Sequence, residues 1–138
     1  MGMNLNLSSE EAQELRGLLS ALSDRAQRQV SLNELIGSWN QFVARVERGY
    51  EDSIYDYTND LSVRDQLKEV LSKTSTRLHE KLTAQVEPLD QRFLDATHQI
   101  ERPLLRPLNE ETGFWWFRIP RALGGELEDD LRSDGLIT

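Results

Sequence analysis

Cysteine is missing altogether from the 138 residues. That excludes disulfides, thiolate nucleophiles, zinc–cysteine sites and iron–sulfur clusters. Histidine is nearly missing too, with only His79 and His98. His79 opens the run HEKL, but position 83 is threonine, so the second histidine of the H-E-x-x-H zinc signature is lacking. His98 and Glu101 stand at i, i+3, and two ligands do not make a metal site. Both histidines are expected at the surface, and no Ser-His-Asp arrangement is legible. Gly124-Gly125 stands alone and fails the dinucleotide pattern, so no phosphate loop is present. These absences predict a protein without cofactor or metal.

Long apolar runs are lacking as well. No stretch approaches the ~18 consecutive apolar residues of a membrane span. The start, MGMNLNLSSEE, has no basic segment ahead of an apolar run and reads as free of a signal peptide. A cytoplasmic protein is the expectation. Positive charge is the minority: 16 Lys and Arg stand against 24 Asp and Glu, a formal net charge of −8. Such a surface repels phosphate backbones, so nucleic acid is not the expected partner. A basic protein is.

What is present is helical. The length suits one domain with a real core, and no strand pattern stands out. Three capping-box patterns each precede an apolar stripe: Ser8 with Glu11, Ser31 with Glu34, Ser62 with Asp65. The stripes predict three long helices. The first covers about 9–29, with Ala12, Leu15, Leu18/Leu19, Leu22 and Ala26. The second covers about 32–60, stepping through Ile36, Trp39, Val43, Val46, Tyr50, Ile54 and Tyr57. The third opens at Val63 and carries Leu67, Leu71, Leu78, Leu82 and Val86. Pro88 lacks an N–H and clashes with the preceding turn, so a fourth helix is expected from Pro88 to about Glu101. Gly49, mid-helix on this reading, is either a tolerated surface glycine or a point of close approach by another helix or the tail. The predicted fold is all-α: an antiparallel bundle over 1–101, then a Pro/aromatic tail over 102–138, with a short helix near 123–132.

The tail holds the densest apolar stretch, GFWWFRIPRALGG. Its four rings, Phe114, Trp115, Trp116 and Phe117, carry roughly 600–1,000 Å² of side-chain surface, at ~150–250 Å² each. Soluble monomers rarely leave that much exposed. The run is expected to be ordered and buried near Trp39, Tyr50, Phe93 or Ile100, with Arg118 beside it. A continuous 63–101 helix would overhang the second helix by roughly 25 Å at 1.5 Å per residue. That overhang predicts self-association, most simply as a homodimer.

The densest polar stretch is residues 48–65. On a helix, Asp52, Asp56 and Asp60 would share one face, with Tyr50 and Tyr55 alongside. With a glutamate from the third helix they would suit a metal-dependent helical hydrolase. A solvated or partner-binding face is the simpler expectation. The leading function is a non-catalytic protein–protein interaction or assembly module acting through helix faces and the tail. The partner-binding residues are then Phe114, Trp115, Trp116, Phe117, Arg118, Tyr50, Tyr55, Asp52 and Asp56. An acidic inhibitor or immunity-type protein for a basic partner is the alternative.

Overall fold

The computed structural model describes residues 7–27, 29–104 and 113–137. Residues 105–112 of the tail and the side chain of Ala26 lie outside the described residues. The chain is helical: α1 (Ser9–Ala26), α2 (Leu32–Arg48), α3 (Ile54–Ser72), α4 (Thr76–Ala96) and α5 (Gly125–Ser133). Two three-residue strands, β1 (Thr97–Gln99) and β2 (Arg118–Pro120), pair antiparallel with His98 opposite Ile119. Strands this short carry no alternation long enough to detect in sequence.

The first two caps form as expected. Ser8 Oγ accepts from Glu11 N at 3.2 Å while Ser8 N donates to Glu11 Oε1 at 2.9 Å. Ser31 Oγ accepts from Glu34 N at 3.1 Å. The second long helix does not reach Asp60. Gly49 closes α2 in a φ of +105°, a conformation that favours glycine. The Ala122 carbonyl would lie 3.6 Å from a Cβ there. The glycine therefore marks a close approach of the tail, and Tyr50 pairs with Leu123 beside it.

The chain restarts at Ser53, whose Oγ accepts from Asp56 N at 3.2 Å and donates to Asp56 Oδ2 at 2.9 Å. The cap of α3 is thus Ser53 with Asp56, nine residues before the expected Ser62 with Asp65. Ser62 lies inside α3, and its hydroxyl donates to the Asn59 carbonyl. A second break at Lys73–Ser75 divides the expected third helix. Pro88 does not start a new helix; it sits inside α4. Pro88 and Ala84 both face solvent, so the Ala84 carbonyl, which a proline four residues on leaves without its helical donor, lies on the side of the helix open to water.

The core joins α2, α3 and α4 through rings. Trp39 lies 5.6 Å from Phe42 and 5.2 Å from Phe93, and Tyr57 lies 5.2 Å from both Phe42 and Tyr50. These separations are those of favourable aromatic pairs. Only Tyr55, Asp56, Asn59 and Ser72 of α3 are exposed, which makes α3 the central helix. The segment after β1 covers the remaining flank. Phe93 and Ile100, expected to overhang, are 0% and 8% exposed within the single chain. The overhang that motivated self-association is therefore not formed. α5 docks on the 50–54 turn: Glu126 N donates to the Glu51 carbonyl at 2.9 Å, and Asp130 Oδ2 accepts from Ile54 N at 2.9 Å. Gly125 permits this contact, because it adopts φ +55° and a Cβ would meet the Glu51 carbonyl oxygen at 2.5 Å.

Candidate functional site

The aromatic run folds into a 3₁₀ turn, Phe114–Phe117, seated on α3. Trp115 and Trp116 are 3% and 5% exposed. A buried indole needs an acceptor for its N–H, and one carboxylate serves both. Asp65 Oδ1 lies 2.9 Å from Trp115 Nε1 and 3.0 Å from Trp116 Nε1, with Oδ2 3.1 Å from the latter. The neighbouring Arg64 guanidinium stacks 4.4 Å from the centre of the Trp115 ring. Its other face of chemistry is a fork: Nε and Nη2 donate to the two oxygens of Asp90 at 2.9 and 2.8 Å. Asp90 also accepts from Trp39 Nε1 at 3.0 Å. Two carboxylates thus collect three indoles and one arginine where α2, α3, α4 and the tail meet.

Phe114, 39% exposed, leans toward Phe93 with ring centres 6.4 Å apart, and Phe117 is half-buried against the core. Arg118 is committed inside the chain. Its guanidinium donates to Thr97 Oγ1 at 2.8 Å and to the carbonyls of Thr97 and Leu94 at 2.9 and 3.2 Å. It thereby caps the C-terminal end of α4, where carbonyls lack partners.

The polar stretch divides. Asp52 lies in the α2–α3 turn, outside any helix, so it does not share a helical face with Asp56 and Asp60. It pairs with Arg45 at 2.6 Å, and Asp60 stands 3.6 Å from the same guanidinium. Tyr50 is buried beneath, with Arg45 4.4 Å from its ring centre and its hydroxyl donating to Asp60 at 2.7 Å. Burial, then the Asp60 bond, pushes the Tyr50 phenol up, so it stays a donor. Asp56 caps α3. The glutamates needed for a metal site do not converge, since Glu69 stands thirteen residues along α3 from Asp56, about 20 Å at 1.5 Å per residue. Among the described residues no group of three His, Asp or Glu side chains is placed to hold a metal ion.

The fold does bring other carboxylates together. Residues 51–60 and 125–134 touch through the Glu126–Glu51 and Asp130–Ile54 bonds. The two segments carry nine carboxylates and one arginine; the rest of the chain carries fifteen of each sign. These two segments therefore carry a formal charge of −8, with Arg45 of α2 reaching in to pair with Asp52 and Asp60. Glu51, Asp52, Asp56, Glu126 and Asp129 are exposed there, and Tyr55 stands among them with 71% of its surface in water. Of the residues expected to bind a partner, Tyr55, Asp52 and Asp56 share this surface, whereas Trp115, Trp116 and Arg118 face inward.

The α5 carboxylates and the Arg64–Asp65–Asp90 seat were not among the expected site residues. Arg64 had a visible signal. It falls three residues after Leu61 and three before Leu67, a core position for a charged side chain. No helix among the described residues is long and apolar enough to cross a membrane. No protein-family model, curated protein or solved structure matches this chain.

Proposed function

We propose that the chain is a non-catalytic protein-binding module of the cytoplasm that takes a basic protein surface on its acidic end. The observation that supports this is the segregation of charge: nine carboxylates against one arginine in two segments joined by the fold, and neutrality elsewhere. A one-signed patch steers an oppositely charged partner and sets orientation on encounter. Tyr55 supplies what charge alone does not, a rigid amphipathic ring of the type enriched in binding hot spots. Inhibition of a basic partner by occlusion is the form of this reading in which the complex is tight and one-to-one. The aromatic tail contributes by holding the bundle together, with its indoles turned to the interior.

The test is calorimetric titration against a panel of small basic proteins. The expected result is a one-to-one complex with at least one of them, weakening steeply with salt. Replacing Glu51, Glu126 and Asp129 by Gln, Gln and Asn together weakens it by about tenfold or more, and Tyr55→Ala weakens it further. Binding that ignores all four substitutions, or no binding at low salt across the panel, refutes the reading.

A further inference from the structure

We propose that α1 exchanges between two copies of the chain, each copy's α1 docking on the α3 and α4 of the other through the contacts it makes at home. The first observation is strain in the hinge. Gln27, at the end of α1, is the only non-glycine among the described residues with a positive φ, +56°. A helix end of this shape is normally given to glycine or asparagine, because a Cβ crowds the backbone there. The hinge residues Gln27, Arg28 and Gln29 include neither glycine nor proline and are good helix formers. The φ of +56° at Gln27 runs against that propensity, while the Ser31 cap favours the break. A short strained hinge is the known invitation to exchange of an element between protomers.

The second observation is how α1 is attached. Among its described side chains only Glu11, Leu15 and Leu22 are buried, against seven in α2. The polar attachments among the described residues include Glu11 to Lys81 at 2.7 Å and Glu14 to the amide and hydroxyl of Ser75 at 2.6 and 2.7 Å. None of these depends on which chain supplies α1. The two forms therefore differ mainly at the hinge. There, among the described residues, the closed form has Ser23 Oγ accepting from Val30 N at 2.9 Å, Gln27 N donating to the Asp24 and Ser23 carbonyls, and the Ser31 cap. A continuous helix replaces the first with an ordinary backbone bond. The closed monomer keeps the advantage of a tethered helix, an effective concentration of order mM. Exchange therefore belongs to concentrated protein and to refolding. The inference shares no residue with the acidic surface, so either can fail alone.

The experiment uses the full chain, unfolded and refolded at ~1 mM, the scale of the tethering advantage, then separated by size with mass read by light scattering. The expected result is a slowly interconverting dimer beside the 15.9 kDa monomer. Gln27→Gly, which suits the closed turn, lowers the dimer fraction several-fold, and Gln27→Ala with Ser31→Ala raises it. The absence of native cysteine permits a direct reading of topology. Copies bearing Glu14→Cys are refolded with copies bearing Ser75→Cys, and a short bifunctional maleimide should join 14 to 75 across chains in the dimer fraction. A monomer under all these conditions, a dimer without the 14–75 link, or a dimer fraction indifferent to Gln27→Gly overturns the proposal.

Discussion

Replacing Asp65 by alanine removes the acceptor that two buried indoles share. Trp115 and Trp116 donate to it at 2.9 and 3.0 Å, and both rings are at most 5% exposed. A bond to a charged acceptor is worth about 1.5–3 kcal/mol, and a donor left buried without a partner costs about 1–3 kcal/mol. The two indoles draw on one carboxylate, so the losses overlap, and about 2–4 kcal/mol is expected for the pair. Near 140 residues each kcal/mol moves Tm by roughly 3–5 °C, giving a fall of about 10 °C. Asp65→Asn keeps one acceptor oxygen and should lose about half as much. The assay is urea unfolding followed by fluorescence on a Trp39→Phe background, so that only the tail indoles report. A double-mutant cycle, its unfolding followed by circular dichroism because no tryptophan remains, sharpens it: with Trp115→Phe and Trp116→Phe in place neither indole N–H is left to orphan, and Asp65→Ala should then change stability by less than ~1 kcal/mol. An Asp65→Ala variant within ~0.5 kcal/mol of the parent, with unshifted emission, would show that the carboxylate does not seat the tail.

Two further predictions follow from backbone and charge. The Glu11 carboxyl is held down to about 2 by its bonds to Lys81 and to Ser8, in that order. Its folded value lies below the unfolded 4.5, so the stabilisation is fully present above that value and is lost as pH falls through 2. Glu11→Gln should flatten this acid limb of the stability–pH curve, and an unchanged limb would refute the assignment. Among the glycines, a Cβ at Gly17 or Gly37 meets nothing within 4 Å, so alanine at either should stabilise by about 0.5–1 kcal/mol. Gly125→Ala should cost about 1–3 kcal/mol, because of its φ of +55° and the Glu51 carbonyl; equal effects at all three positions would contradict the geometry.

The helical class and the caps of α1 and α2 were legible because both are local: a serine, an acid three residues on, and an apolar stripe that follows. The ordering of the aromatic run was legible from its area alone. The breaks were not, and the reason is the same at each. The stripe Val46, Tyr50, Ile54, Tyr57, Leu61 steps at helical intervals, yet the chain reverses inside it. Every one of those residues is buried in either geometry, so periodicity cannot tell a long helix from two helices that fold onto each other. The true signal was Gly49 followed four residues on by Ser53, a stop and a start. It was outweighed by the unbroken apolar phase and by the competing pattern at Ser62. At Pro88 the error ran the other way. Proline was given the force it has in a buried helix, while Pro88 and Ala84 both lie on the wet face of α4.

The site was only half legible, because its two halves are 65 residues or more apart in sequence and each reads innocently by itself. Acids at 51–60 look like a solvated helix face, and acids at 125–134 look like a frayed tail. Only tertiary contact adds them, and the contact runs through groups that no pattern announces: a glycine amide turn at 124–125 and one aspartate, Asp130, on a backbone N–H of α3. The same logic explains why the tail rings turned inward. Their seat is charged, Arg64 forked on Asp90 with Asp65 beside it, and charged residues at core phase read as interruptions of a stripe. They are instead the polar partners that let indoles be buried without an unsatisfied N–H. Inside this seat two carboxylates meet one arginine, and three indole N–H groups donate to the same two carboxylates. At the α3–α5 end Arg45 and Arg132 already pair with Asp52 and Glu128, and the carboxylates of Glu51, Asp56, Glu126 and Asp129 remain exposed in the same segments as Tyr55, which is the surface the proposed basic partner would meet.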